Sequence, residues 1–373
     1  MSGPVKVLHI EAGRHLYGGA RQVLYLLEGL TGTGAVRNQL VCPLGSAIAA
    51  AAQGSCERVH AIPMGGDLDL SLVLRLHRLI RAEAPDLVHV HSRRGADPQG
   101  GIAARLAAVP AVLSRRVDNP ESRLSVRLKY PLYAKVITIS DGIRQVLLAA
   151  GLAPEKVVCV HSAIDARPFS AGCDKDWFRK EFGLPPGART LAVIAQLIKR
   201  KGHVHLLEAL PGIVRQHPEL QVLFFGQGPL EAELSDRIGG LGLGDHVRLA
   251  GFRSDLDRIL PCLDLVVHPA TMEGLGISLL QAAAAGLPIV AARAGGIPEA
   301  VRNGENGLLV PPGDSRSLGE AVLWILDHPD EAWAMGKHGR ALVEREFSVP
   351  AMVSGNLSVY RQVLARAGTR GDA

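Results

Sequence analysis

Apolar and polar positions follow two rhythms along the chain. Short runs such as "VKVLHI" (Val5 to Ile10), "NQLVCPL", "DLVHVHS" (Asp86 to Ser92), "AVLSRR" and "KVITIS" are apolar and β-branched, as buried strands are. Between them, "ARQVLYLLEGL" and "LSLVLRLHRLIRAE" place apolar residues at helical spacing. Strand and helix take turns, which predicts βαβ units around a parallel sheet.

The rhythm restarts after "DARPFSAGCDKDWFRKEFGLPPGART" (Asp165 to Thr190), a stretch rich in charges and turn residues. "TLAVIAQL", "LQVLFFG", "VRLAG", "LDLVVHP" and "PIVAA" then supply a second set of strands. The predicted architecture is α/β: two Rossmann-like, doubly wound domains facing a central cleft, residues 1–168 and 169–349. The helical stretch in residues 350–373 can pack on either domain, including back on the first, and "TRGDA" after it reads as a frayed tail. Ligands in such sheets sit at the carboxyl ends of the strands, so each strand-to-helix loop is a candidate site.

With 373 residues, 47% of them hydrophobic, the chain has material for two cores without covalent staples. Five cysteines (Cys42, Cys56, Cys159, Cys173, Cys262) are odd in number, far apart and without a C-x-x-C pair, so neither a disulfide framework nor a zinc site is indicated. They are expected to be mostly small buried hydrophobes. No run approaches the roughly 18 apolar residues of a membrane span, and "MSGPVKVLHIEAG" is a strand running into a loop rather than a signal peptide. A cytoplasmic location is the expectation. The net charge of +5 is uneven: residues 1–165 hold 19 Lys/Arg against 13 Asp/Glu, and the rest is nearly neutral.

One loop stands out. "LDLVVHP" ends at Pro269, "ATMEGLG" makes a turn bearing Glu273, and a small-residue helix is predicted from near Ile277 to a stop at Gly286. Unpaired amides from Gly274 to Ser278 would point out of that helix start, a setting that favours phosphate. Gln281 follows roughly 7.5 Å up the axis. A carboxylate, an anion site and an amide in this order suit a nucleotide-sugar, with sugar at one end and ribose at the other.

At these residues the sequence resembles glycosyltransferase family 4, retaining enzymes of the GT-B fold. "EGLGISLLQAAAAGLPIVAARAGGIPEAV" is similar to the family's E-x7-E region. "YGGAR" (Tyr17 to Arg21), "DLVHVHS", "VITISDGIRQVLLAAGLAPEKVVCVHSAIDARPF", "KRKG", "FFGQGPLEAEL" and "NGLLVPPGD" resemble its other segments in their order, over nearly the whole chain. The resemblance implies a retaining, metal-independent transferase without cofactor. It would move a sugar from a nucleoside-diphosphate-sugar to a glycan or glycolipid acceptor, in the manner of envelope-polysaccharide or lipopolysaccharide-core enzymes.

Residue by residue, it implies that Glu273 and His91 contact the donor sugar near the reacting centre. It further implies that the amides of Gly276, Ile277 and Ser278, in the loop of Gly274, hold the distal phosphate. Lys201 would neutralise the diphosphate, and Gly18 and Gly19 would let backbone approach it. Two positions depart from the family. Gln281 stands for the second glutamate, where its amide oxygen can accept a neutral rather than charge-assisted bond from ribose. Gln196 stands for an arginine, removing a fixed positive charge for which Lys199 or Arg200 could substitute.

Other features read as ordinary structure. His89 and His91 face one way on a strand, which permits a metal pair, but without a third ligand in view a packed histidine is the better reading. "DLD" (Asp67 to Asp69) is taken as a loop, and "GGLGLG" (Gly239 to Gly244) lacks the spacing and the strand of a dinucleotide site. Arg93, Arg94, Arg115, Arg116, Arg123, Arg127 and Lys129 cluster in the first half; Arg115, Arg116, Arg123 and Arg127 are the candidates for meeting an anionic acceptor or the inner face of a membrane. Aromatic residues are 4% of the chain, too few for nucleic-acid stacking platforms. A nucleotide-sugar epimerase or hydrolase of the same fold, or a catalytically silent nucleotide-sugar-binding protein, stays open as an alternative.

Overall fold

The structure, a computed structural model, describes residues 3–16, 18–66, 68–91 and 96–368. Tyr17, Asp67, Arg93, Arg94 and the Thr369–Ala373 tail lie outside the described residues. The chain divides into two compact units. One runs to Ala163 and takes up again at Val349; the other is Ile164–Ser348.

In the first unit the described strands are β1 (Val5–Glu11), β2 (Val36–Pro43), β3 (Arg58–Ile62), β4 (Leu87–His91), β5 (Ala111–Arg115), β6 (Lys135–Thr138) and β7 (Val157–Cys159). They form one parallel sheet in the order β3-β2-β1-β4-β5-β6-β7. Alternate side chains enter opposite cores, the consequence of the period of two. Leu8 and Ile10 pack with Leu72, Leu76, Ile80, Ala103 and Val126 from the helices on one face. Val7, Val112 and Ile137 pack with Leu26 and Leu30 of helix Gly18–Thr33 and with Val353 and Tyr360 of helix Val349–Gly368 on the other. Gly29 makes that helix pair possible, since a Cβ there would overlap Val353.

The second unit holds β8 (Arg189–Ile194), β9 (Leu220–Phe225), β10 (Val247–Gly251), β11 (Leu265–His268), β12 (Ile289–Ala292) and β13 (Gly307–Val310). Their parallel order is β10-β9-β8-β11-β12-β13. In both sheets the order reverses beside the first strand, which opens a crevice at the carboxyl ends between β1 and β4 and between β8 and β11.

One expectation changes here. Cys173 and Cys262 form a disulfide. They lie 89 positions apart, so no spacing rule could pair them; the fold does, by packing the Arg167–Ser170 turn against the Leu260–Cys262 turn. The charged stretch after Asp165 is itself folded. It carries helix Lys175–Phe182, capped by the Asp174 carboxylate accepting from the Trp177 amide and buried through Phe178 and Phe182.

Candidate active site

β11 ends at His268, and the loop behind it carries Glu273 to helix Ile277–Ala284. Gly276 caps that helix in a left-handed conformation, and the first bonds to return to it come from Leu279 and Leu280. The amides of Ile277 and Ser278 precede those bonds and are left at the open, positive end of the helix. The Gly274 amide is not free: it donates to Glu273 Oε1 at 3.1 Å.

Lys201 arrives from the other side of the crevice, on the turn Lys199–Lys201 after β8. Gly202 sets the closeness, because a Cβ there would overlap the Pro269 carbonyl oxygen. The Thr271 amide donates to the Arg200 carbonyl at 2.9 Å and locks the two loops together. Lys201 Nζ therefore reaches Glu273 Oε2 in an ion pair. His268 Nε2 lies 3.0 Å from the same oxygen. The Glu273 carbonyl is held as well, by the Gly296 amide at 3.0 Å.

Burial alone would raise the Glu273 pKa, but the His268 hydrogen bond and the Lys201 charge outweigh it and bring it down to about 2. Burial pushes His268 below its ordinary value, against the pull of Glu273. Behind it His203, buried and packed edge-on against Phe224, is lowered to about 4 by burial, with the Lys201 charge acting in the same direction. The site is an ionised carboxylate and an ammonium set beside a helix start, with neutral imidazoles beneath.

Gln281 sits half-buried on the same helix, and Gln196 is exposed in the loop after β8. Lys199 and Arg200, the candidate substitutes for the missing arginine, are exposed on the turn that ends at Lys201. Glu273, Lys201, Gly274, Gly276, Ile277, Ser278 and Gln281 are thus gathered within one unit. His268 and His203 carried no signal in the sequence that set them apart from other strand and helix residues.

In the first unit, Gly18 and Gly19 open helix Gly18–Thr33. The half-buried Arg116 stands against Gly19, 3.5 Å from where a Cβ would be, and reaches Ser162 Oγ at 3.4 Å. Burial draws its pKa down to about 10, with Glu11 opposing. A third imidazole joins the predicted pair, correcting the reading that none was in view. The nitrogens of His9, His89 and His91 lie within 4.8 Å of one another, all fully buried.

Their hydrogen bonds assign the protons. Asn38 Nδ2 donates to the Leu27 carbonyl and Thr31 Oγ1, so Asn38 Oδ1 accepts from His9 Nε2 at 3.2 Å. His9, lowered to about 3 by burial, is neutral, and its bare Nδ1 accepts from His91 Nε2 at 3.0 Å. His89 bonds Tyr360 at 2.6 Å and Ser114 at 2.8 Å. The trio could hold a metal only by giving up these bonds. His91 Nδ1 carries a lone pair without a partner among the described residues.

The basic cluster divides. Arg115 is buried, paired with Glu121 at 2.6 Å and donating to the Asn119 carbonyl, so it belongs to the interior rather than to a solvated face. Lys129 and Tyr130 bond the same carboxylate. Arg123 and Arg127 stay exposed on helix Arg123–Lys129, beside Leu124 and Leu128, 67% and 69% exposed.

Two Rossmann-like units, each built on a parallel sheet and one carrying a cation and a carboxylate beside a helix start, fit the architecture of a glycosyltransferase of the GT-B type. The family described as "Glycosyl transferases group 1" matches residues 174–342, and "Glycosyltransferase Family 4" matches residues 17–167. The chain belongs to these glycosyltransferases, which between them account for most of its length. It is 28% identical over 312 residues to a 2-deoxystreptamine glucosyltransferase of Streptomyces kanamyceticus, covering 78% of this chain and 80% of that one. A GDP-mannose-dependent monoacylated alpha-(1-6)-phosphatidylinositol monomannoside mannosyltransferase of Corynebacterium glutamicum is 34% identical over 50% of this chain and 51% of its own length. Anabaena HepE in complex with UDP has the same fold: TM-score 0.84, 21% identity, covering 96% of this chain and all of that one.

Proposed function

We propose that the protein transfers a sugar, with retention, from a nucleoside-diphosphate-sugar to an anionic glycan or glycolipid acceptor of envelope-polysaccharide or lipopolysaccharide type. It does so without a metal, at the cytoplasmic face of the membrane. One observation carries the donor half of this reading: Lys201, Glu273 and the open start of helix Ile277–Ala284 converge in one unit. Breaking the sugar-phosphate bond places negative charge on the diphosphate and positive character on the sugar. Lys201 and the helix amides stabilise the first, and the Glu273 carboxylate the second. The acceptor hydroxyl attacks from the leaving group's own face, a donor phosphate oxygen taking its proton.

Thermal unfolding with UDP, GDP and ADP and their common sugar conjugates tests the donor site. One diphosphate is expected to raise Tm in the wild type and not in Lys201→Ala, as ligand binding to the folded state alone requires. Stabilisation by none of them would overturn the reading. Donor turnover that no acceptor accelerates would assign a hydrolase or epimerase instead.

The acceptor half rests on the exposed face of helix Arg123–Lys129, and on the relative whose name specifies a phosphatidylinositol-borne acceptor. Among the described residues Arg123 and Arg127 form no ion pair, and the leucines beside them suit a lipid surface. The double substitution Arg123→Glu, Arg127→Glu is expected to abolish co-sedimentation with phosphatidylglycerol vesicles at roughly 0.15 M salt. Unchanged binding, or none by the wild type, would refute the membrane assignment. No described helix is long and apolar enough to cross a membrane.

A further inference from the structure

The Glu273 carboxylate has more donors than it can keep once a ligand enters. Oε2 accepts from Lys201 Nζ and from His268 Nε2, and Oε1 accepts from the Gly274 amide. The two donors on Oε2 differ in kind. Lys201 ends a flexible four-carbon stem rooted in a short turn, and a diphosphate, with more negative charge than one carboxylate, competes for it. His268 is the last residue of a parallel strand, 1% exposed, and cannot follow. A carboxylate only accepts, so the buried neutral ring must carry its proton on Nε2.

We propose that His268 is the positioning residue for Glu273: it anchors Oε2 while Lys201 is drawn from the carboxylate to the diphosphate, keeping the carboxylate in place for the donor sugar. The inference rests on the donor-site reading above and assigns its second layer. It divides labour in the site, since Lys201 serves any nucleoside diphosphate while the His268–Glu273 pair serves only the sugar. Free diphosphate and sugar conjugate should therefore respond differently to the loss of His268.

The test compares wild type, His268→Leu and His268→Gln by calorimetric titration with UDP and UDP-glucose and with GDP and GDP-mannose, and by the pH profile of transfer. His268→Leu is expected to bind the free diphosphate within about twofold of wild type. Its grip on the sugar conjugate, and its kcat, should fall roughly tenfold or more, the usual effect of removing one hydrogen bond to a charged group. The groups facing Glu273 are His268 and Lys201, with His203 behind them. Removing His268 lets the carboxyl rise towards its ordinary range, so activity should fail below about pH 5 in His268→Leu while wild type persists to lower pH. His268→Gln restores an N–H donor and should recover both.

Equal weakening of diphosphate and conjugate in His268→Leu would show general damage and overturn the proposal. So would unchanged ratios and an unchanged acid limb. A wild type that binds none of the four ligands would instead sink the donor-site reading, and this inference with it.

Discussion

Glu273→Gln is expected to lower the rate of transfer by roughly 10² to 10³, the scale seen when one preorganised charge-stabilising group is removed from an active site. The amide keeps the shape but loses the charge opposite the developing positive sugar. It also releases Lys201, whose ammonium no longer has an internal counter-ion. The diphosphate half of the site is thereby strengthened, so affinity for the free nucleoside diphosphate should hold or increase while turnover collapses. Single-turnover transfer and titration with the free diphosphate, run side by side, check this, and a parallel fall in both would contradict it. Stability supplies an independent reading. A carboxyl depressed to about 2 contributes stability that is fully present above the ordinary carboxyl pKa near 4.5 and is lost as pH falls through the folded value. Wild type should lose that increment between these limits, and Glu273→Gln should show no such loss.

Gly295→Ala should unfold the second unit at markedly lower temperature. Gly295 has φ +52°, a region that L side chains avoid, and a Cβ there would overlap the Glu273 carbonyl oxygen. The backbone on both sides is fixed, at Gly296 by its amide donating to that same oxygen and at Arg293 by its amide donating to the Val310 carbonyl. The expected cost is several kcal/mol, or roughly 10 °C in Tm for a domain of this size. Any population that stays folded should have its Glu273 loop displaced and its sugar transfer reduced. Gly244→Ala is the control: no atom lies within 4 Å of where its Cβ would be, and its φ is not positive, so Tm should move by about 1 °C or less. Similar Tm values for the two variants would remove the clash as the reason.

How far the sequence could be read follows from burial. Strands such as β4 and β12, buried along their whole length, announced themselves as apolar runs. β3 sits at the sheet edge with every residue of "RVHAI" half-buried or exposed, β7 has three residues, and β13 opens on a glycine, so none of them stood out. The Glu273 loop was legible because its chemistry is local: turn, glycines and helix start lie within a few residues. Contacts made by topology were not. His9 meets His91 only because β1 and β4 are neighbours in the sheet, and Cys173 meets Cys262 only because two short turns pack together. Arg115 shows the limit of charge counting, since a cluster of basic residues does not say which of them a carboxylate such as Glu121 has already claimed.

The chain passes between its two units twice, at Ala163–Ile164 and at Ser348–Val349, and these crossings are adjacent: the Ile164 amide bonds the Phe347 carbonyl at 2.9 Å. In topological terms the second unit is an insertion between β7 and helix Val349–Gly368, and it is one contiguous segment. It is expected to fold when expressed alone as residues 164–348, carrying Lys201, His268 and Glu273 with it. The first unit cannot be isolated by simple truncation, because its outer helix would be lost and Tyr360 would leave His89 without its hydroxyl partner. A short peptide splice from Ala163 to Val349 would keep that helix, so each half can be studied separately for what it binds.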